Sequence, residues 1–209
     1  MDKATQKAKG LIEALSFIRQ FKDKIVVVKL GGSLMEEDHS QRQLLNDVVF
    51  MATVGMRPIL VHGGGKSVSA AMKEAGIEPV FVQGRRYTDE KTLLIAEQVL
   101  VNQINASIVE SINVLGGHAM GLHSLSSCVI TAQKTQLSGE DGRKIDIGMV
   151  GEVTAVNAEL LNVLCHSGVI PVIAPIGVNK AGAKLNINAD TVAGHVAAAV
   201  GAAKLVMMS

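Results

Sequence analysis

Lys24-Ile25-Val26-Val27-Val28-Lys29-Leu30-Gly31-Gly32-Ser33 is the stretch that decides the fold. It is an apolar run broken by a lysine only near its end and closed by glycines. A strand with one solvated face would alternate polar and apolar residues; a run like this reads as a strand buried on both faces, and so as part of a parallel sheet. The same pattern recurs at Pro58-Ile59-Leu60-Val61-His62, followed by Gly63-Gly64-Gly65.

Helical patterns separate the strands. Residues 4–21 place Leu11, Leu15 and Ile18 on one face, with Ile12 and Phe21 beside them. Helices are predicted over 40–55 and 66–75, the latter ending at Gly76. A long helix is predicted over 89–115, with Leu93, Glu97, Leu100, Ile104, Ile108 and Ile112 at three- and four-residue spacing and a stop at Gly116-Gly117. Strands near 118–122 and 127–134 precede a glycine- and charge-rich stretch, 137–148, whose Asp141-Gly142 turn opens a hairpin running to about 155. Helix 157–166, strand 169–174, a short hairpin around Lys180-Ala181-Gly182, helix 189–201 and a strand from Lys204 complete the pattern. The expectation is an α/β fold, a three-layer αβα sandwich with a mostly parallel central sheet.

Composition agrees. Hydrophobic residues make up 48% of the 209, yet there is no Trp, one Tyr and four Phe, so the core is built from aliphatic side chains. The net charge of +1, from 20 basic and 19 acidic residues in mixed order, gives no basic stripe for nucleic acid or an anionic membrane. Cys128 and Cys165 lie in apolar surroundings without metal-ligand spacing, which points to a reduced, cytoplasmic protein. The basic N-terminus is followed by no apolar segment of the signal-peptide kind. The uncharged run 160–179 is broken by Asn162, His166, Gly168, Pro171 and Pro175, and reads as strand and loop rather than as a membrane span.

The glycine clusters fit neither of the two commonest nucleotide motifs. A phosphate-binding P-loop ending in Gly65-Lys66-Ser67 needs glycine at position 60, which is Leu60; a dinucleotide fingerprint from Gly63 needs glycine or alanine at Val68. One cluster alone would be a tight turn. Two, each after a buried strand, favour an anion-binding edge, where backbone N–H groups and helix N-termini meet a ligand.

Five segments in order then resemble the acetylglutamate kinase family, which has the amino-acid-kinase fold and acts in arginine biosynthesis. They are Val28-Lys29-Leu30-Gly31-Gly32-Ser33, Val61-His62-Gly63-Gly64-Gly65, Gly84-Arg85-Arg86-Tyr87-Thr88, Gly148-Met149-Val150-Gly151-Glu152-Val153 and Asn186-Ile187-Asn188-Ala189-Asp190. The resemblance implies phosphoryl transfer from ATP, carried with Mg2+, to the side-chain carboxylate of N-acetyl-glutamate. It gives Lys29 and Asp190 as catalytic residues, Lys29 on the transferred phosphoryl group and Asp190 as organiser of the lysines. Gly31 and Gly32 would meet the phosphates. Gly63, Gly64, Gly65, Arg86, Asn186 and Asn188 would bind the acid, with Arg86 on its α-carboxylate and Arg85 solvated. Asp190 also stands where a helix opens, so an N-cap role stays open beside the catalytic one. His62 reads as a packing residue, and no metal site is expected.

The resemblance also implies an organisation. Residues 1–21 would be an oligomerisation helix, 22–203 the acid-binding lobe and 204–209 the start of a nucleotide-binding lobe that family members continue into. A homo-oligomer, dimer or hexamer, with arginine as a possible effector, is implied. Two other readings stay open: a non-catalytic fragment that binds acid and oligomerises, and a kinase for a related acid such as carrier-bound aminoadipate.

Overall fold

The computed structural model describes residues 3–31, 38–124, 126–127, 129–139 and 142–208. In chain order the elements are α1 (Lys3–Phe21), β1 (Ile25–Leu30), α2 (Asp38–Thr53), β2 (Arg57–His62), α3 (Gly65–Glu74), β3 (Phe81–Val82), β4 (Arg85–Arg86) and α4 (Glu90–Glu97). A π-helical segment (Gln98–Asn105) leads into α5 (Ala106–Val114). Then come β5 (Ala119–Leu122), β6 (Ile130–Ser138), β7 (Lys144–Val156), α6 (Ala158–His166), β8 (Ile170–Ile173), β9 (Ile176–Val178), β10 (Lys184–Asn186), α7 (Ala189–Ala199) and β11 (Lys204–Met208).

The main sheet has the order β11-β1-β2-β8-β5, and all four of its pairings are parallel. β1 is buried along its whole length, as the uninterrupted apolar run requires. Its side chains alternate between two cores. Val26, Val28 and Leu30 join Leu45 and Val48 of α2 and Ile108 and Ile112 of α5 on one face. Ile25 and Val27 join Leu161 of α6 and Val192, Ala193 and Val196 of α7 on the other. This is the expected three-layer sandwich.

Two features depart from the expectation. β6, β7, β9 and β10 close into a small barrel beside the main sheet, with β6–β7 and β9–β10 antiparallel and β7–β10 and β6–β9 parallel. The long helix 90–114 is not uniformly α-helical: its middle is wound as a π segment, which places Asn105 inside the core. That helix is long and apolar enough to cross a membrane by length and composition, but half of its apolar window is buried against the rest of the fold. In α1, Ile12, Leu15 and Phe17 are exposed, whereas Phe21 packs on the core under α2. The side chain of Leu11 lies outside the described residues.

Parallel pairing sets the carboxyl ends of β1, β2 and β8 on one edge. Gly31 directly follows β1 and Gly63, Gly64 and Gly65 directly follow β2, so these glycines reach the edge where open α/β sheets bind ligands.

Candidate active site

A cavity of about 240 Å³ opens at that edge. Lys29, Gly63, Gly64, Gly65, Arg86, Asn186, Asn188 and Asp190 all line it, although they come from four separate stretches of the chain. Gly31 is buried at the end of β1 and is not part of the lining. Gly32 lies outside the described residues.

Lys29 enters from β1, an interior strand flanked by β11 and β2, with only 11% of its side chain exposed; its Nζ is 2.8 Å from Oδ1 of Asp190, whose side chain is 54% exposed. Asp190 is not the cap of α7. That position belongs to Asn188, whose side-chain oxygen accepts the N–H of Thr191 at 3.0 Å. The cap therefore lies two residues before the position weighed as one. Asp190 falls in its first turn, where the helix dipole favours a negative charge and the carboxylate can face Lys29.

The second glycine cluster divides its roles. The N–H of Gly63 donates to the carbonyl of Leu30 at 2.9 Å, tying the β2 loop to β1, so this N–H is engaged within the fold. Gly64 caps α3 with φ +155, and a Cβ there would fall 2.6 Å from both Leu100 and Ile104. Gly65 opens α3, and the N–H groups of a helix's first turn have no partner inside it. An anion entering the cavity meets that end of α3.

Arg86 is buried on β4, in a two-stranded hairpin over the cavity. One terminal nitrogen donates to the carbonyl of Gly65 and to Oγ of Ser69, both at 2.7 Å; the other reaches the sulfur of Met72 at 3.2 Å. The ring of Phe81 lies 4.7 Å from the guanidinium carbon, in cation–π contact. Burial pulls the pKa of Arg86 below its ordinary value, yet an arginine stays charged at neutral pH. Three of its five N–H donors are accounted for by these contacts, which fix the plane of the guanidinium and leave two for a ligand. Arg85, expected to be solvated, is half-buried and also lines the cavity.

Asn186 is held by its amide, which donates to Oγ1 of Thr88 at 3.2 Å; that hydroxyl donates in turn to the carbonyl of Arg86 at 3.0 Å. Thr88 also receives the N–H of Met149 at 2.6 Å, and its own N–H reaches Ile147. The backbones meet so closely that a Cβ on Gly148, where φ is +78, would overlap the carbonyl of Thr88. This explains the glycine that opens the fourth segment of the resemblance. Phe81 and Thr88 are the functional neighbours that residue-by-residue reading missed. Phe81 had a signal, as one of only four phenylalanines beside a glycine turn.

His62 is fully buried. Its Nδ1 donates to the carbonyl of Gly63 at 2.8 Å and its Nε2 accepts from the amide of Asn105 at 3.1 Å, a set that fits one neutral tautomer. Burial pushes its pKa down to about 4.

Residues 24–209 match the family model described as the amino acid kinase family. The chain is 44% identical over 214 residues to the acetylglutamate kinase of Syntrophus aciditrophicus, covering 100% of this chain and 72% of that protein. This chain belongs to the acetylglutamate kinase family. The acetylglutamate kinase of Stutzerimonas stutzeri is 46% identical over 211 residues, covering 99% and 70%. That of Methanocaldococcus jannaschii is 44% identical over 208 residues, covering 98% and 69%. The chain thus spans about seven-tenths of these family members.

Among solved structures, N-acetylglutamate synthase from Neisseria gonorrhoeae, complexed with coenzyme A and N-acetyl-glutamate, superposes with a TM-score of 0.84 at 23% identity, over 97% of this chain and 45% of that one. Giardia carbamate kinase gives 0.57 at 13% identity, over 89% and 74%. At these identities the likeness is one of fold. The family is one of ATP-dependent kinases, and the mostly parallel sheet with helices on both faces is its architecture.

Proposed function

We propose that this protein transfers the γ-phosphoryl group of ATP to the side-chain carboxylate of N-acetyl-glutamate, and that residues 22–203 form the lobe that binds the acid. The observation that carries the reading is the convergence of a buried, carboxylate-paired Lys29, a fixed Arg86 and the start of α3 on one cavity, in a member of this family.

The acceptor is already an anion at neutral pH, so no general base is needed. A carboxylate oxygen forms a bond to the γ-phosphorus while the bond from that phosphorus to the bridging oxygen breaks, and ADP leaves with the electron pair. Catalysis is then positioning and charge neutralisation. Lys29 supplies positive charge at the transferred group, and Asp190 holds the ammonium in place. The family resemblance assigns Gly31 and Gly32 to the phosphates. Arg86 takes the α-carboxylate with its remaining donors, Gly64 and Gly65 offer N–H groups, and Asn186 and Asn188 contact the acetamido part. Among the described residues, no three His, Cys, Asp or Glu side chains are placed to hold a metal, so Mg2+ would be carried by the phosphates of the nucleotide.

The exposed Ile12, Leu15 and Phe17 of α1 support a homo-oligomer built through that helix, with arginine as a candidate effector. The buried free thiol of Cys165, its pKa pushed up to about 11, suits a reduced cytoplasmic setting. The reading is tested by trapping the acyl phosphate with hydroxylamine after incubation with ATP, Mg2+ and N-acetyl-glutamate. Hydroxamate that forms with N-acetyl-glutamate and not with N-acetyl-glutamine is expected. Equal yields from both, or hydroxamate from unacetylated glutamate alone, would contradict it.

A further inference from the structure

Behind the cavity wall stands an ion pair with no part in the chemistry above. Glu97, the last residue of α4, is the only buried carboxylate among the described residues. Its two oxygens receive Nζ of Lys184, at 2.7 Å from Oε1 and 2.8 Å from Oε2, and Oγ of Ser124 donates to Oε1 at 2.6 Å. Both carboxylate oxygens are thereby engaged; the Glu97 side chain is only 10% exposed, while that of Lys184 keeps 32% of its surface in solvent. A buried pair of this kind is weak evidence for stability, because desolvating two charges offsets most of their attraction, and an apolar pair of the same volume would do as well. What the pair does provide is direction: a fixed distance between two elements that otherwise share little.

Those elements are the ones that shape the acid end of the cavity. Lys184 opens β10, a strand of only three residues, and Asn186 ends it. Next to Glu97 on α4, Ala96 forms part of the cavity wall. From Asn186 the connection runs on through Oγ1 of Thr88 to the backbone of Arg86. We infer that Glu97 and Lys184 are positioning residues, which clamp β10 to α4 and so hold Asn186 and Asn188 at the separation from Arg86 that the acid requires. The inference rests on the assignment of this cavity to N-acetyl-glutamate.

The test is calorimetric titration of N-acetyl-glutamate into the wild type, Glu97→Gln, Lys184→Met, the double variant, Lys184→Arg and Arg86→Ala, with melting temperatures recorded for each. Each clamp single should bind about tenfold more weakly, as expected for groups coupled through one network, and the double no more weakly than the worse single. Lys184→Arg, which keeps the positive charge and can donate to both carboxylate oxygens, should restore affinity. If the singles do not fold, the double, which buries no lone charge, carries the test. Clamp variants that melt earlier yet bind within about twofold of wild type would overturn the inference, since the pair would then serve stability alone. Loss of affinity in Arg86→Ala beside unchanged clamp variants overturns this inference and leaves the acid-site reading standing. A wild type that takes up no N-acetyl-glutamate overturns both.

Discussion

Nζ of Lys29 lies 2.8 Å from Oδ1 of Asp190, one on an interior strand of the sheet and the other in the first turn of the last helix. The lysine is nearly enclosed while the aspartate is half in solvent, so the aspartate adjusts to the lysine and not the reverse. Asp190→Ala should leave the fold in place but lower the melting temperature, because it removes the counter-charge of a nearly enclosed lysine. Turnover should fall by about 10²-fold or more, the cost of losing one preorganised electrostatic element. Steady-state kinetics and a thermal melt on the same sample check both parts. A large loss of stability with little loss of rate would make the pair structural.

His62 makes stability depend on pH. Its folded-state pKa of about 4 lies below the ordinary 6.5, so between those values the unfolded chain binds a proton that the folded chain does not. Its contribution is complete above about pH 6.5 and is lost as pH falls through the folded value. Going from pH 7.5 to 5 should cost about 2 kcal/mol from this group. Urea unfolding at the two pH values should give that difference in the wild type and a smaller one in His62→Gln, which keeps an amide for Asn105. An equal difference in both proteins would contradict the assignment.

Gly148→Ala should be damaging out of proportion to its size. The residue has φ +78, and the added methyl would meet the carbonyl of Thr88, which is itself buried. A loss of at least about 1–3 kcal/mol in denaturant unfolding is expected, with weakened acid binding because Thr88 holds Asn186. Stability like that of the wild type would show that the close approach is not a constraint.

For α1, the exposed Ile12, Leu15 and Phe17 should be covered by another copy of the chain. Phe21 packs on the main core, so a deletion should stop short of it. Removing residues 1–17 is expected to lower the mass per particle in light scattering without a large shift in melting temperature. An unchanged mass would place the helix against its own subunit.

Much of this was legible because the central strands carry it. The run Ile25–Leu30 needs burial on both faces, and the glycines behind it must turn at the ligand edge; both follow from the order of residues. The barrel was not legible as a unit. β9 and β10 are three residues each, and β6 and β7 alternate exposed and buried positions unevenly across bulges. Three- and four-residue spacing over 93–112 fits an α-helix, and nothing in it announces the extra residue per turn of a π segment. In the site, polar residues next to glycines were found, whereas partners set by distant chain were not. Glu97 read as one more position on a helix face because Lys184 and Ser124 reach it from other elements. Asn188 was found as a ligand candidate but not as the cap, since two polar residues separated by one alanine, Asn188 and Asp190, could each have opened α7.

The central claim is that the cavity between Lys29 and Arg86 receives N-acetyl-glutamate, and titration calorimetry of that acid into the wild type and Arg86→Ala tests it most directly. The account predicts saturable binding of one acid per chain, none for N-acetyl-glutamate esterified at its α-carboxylate, and a loss of about 2–5 kcal/mol in Arg86→Ala as a charge-assisted, partly buried contact disappears. Equal affinity in the two proteins, or binding indifferent to the α-carboxylate, would contradict it.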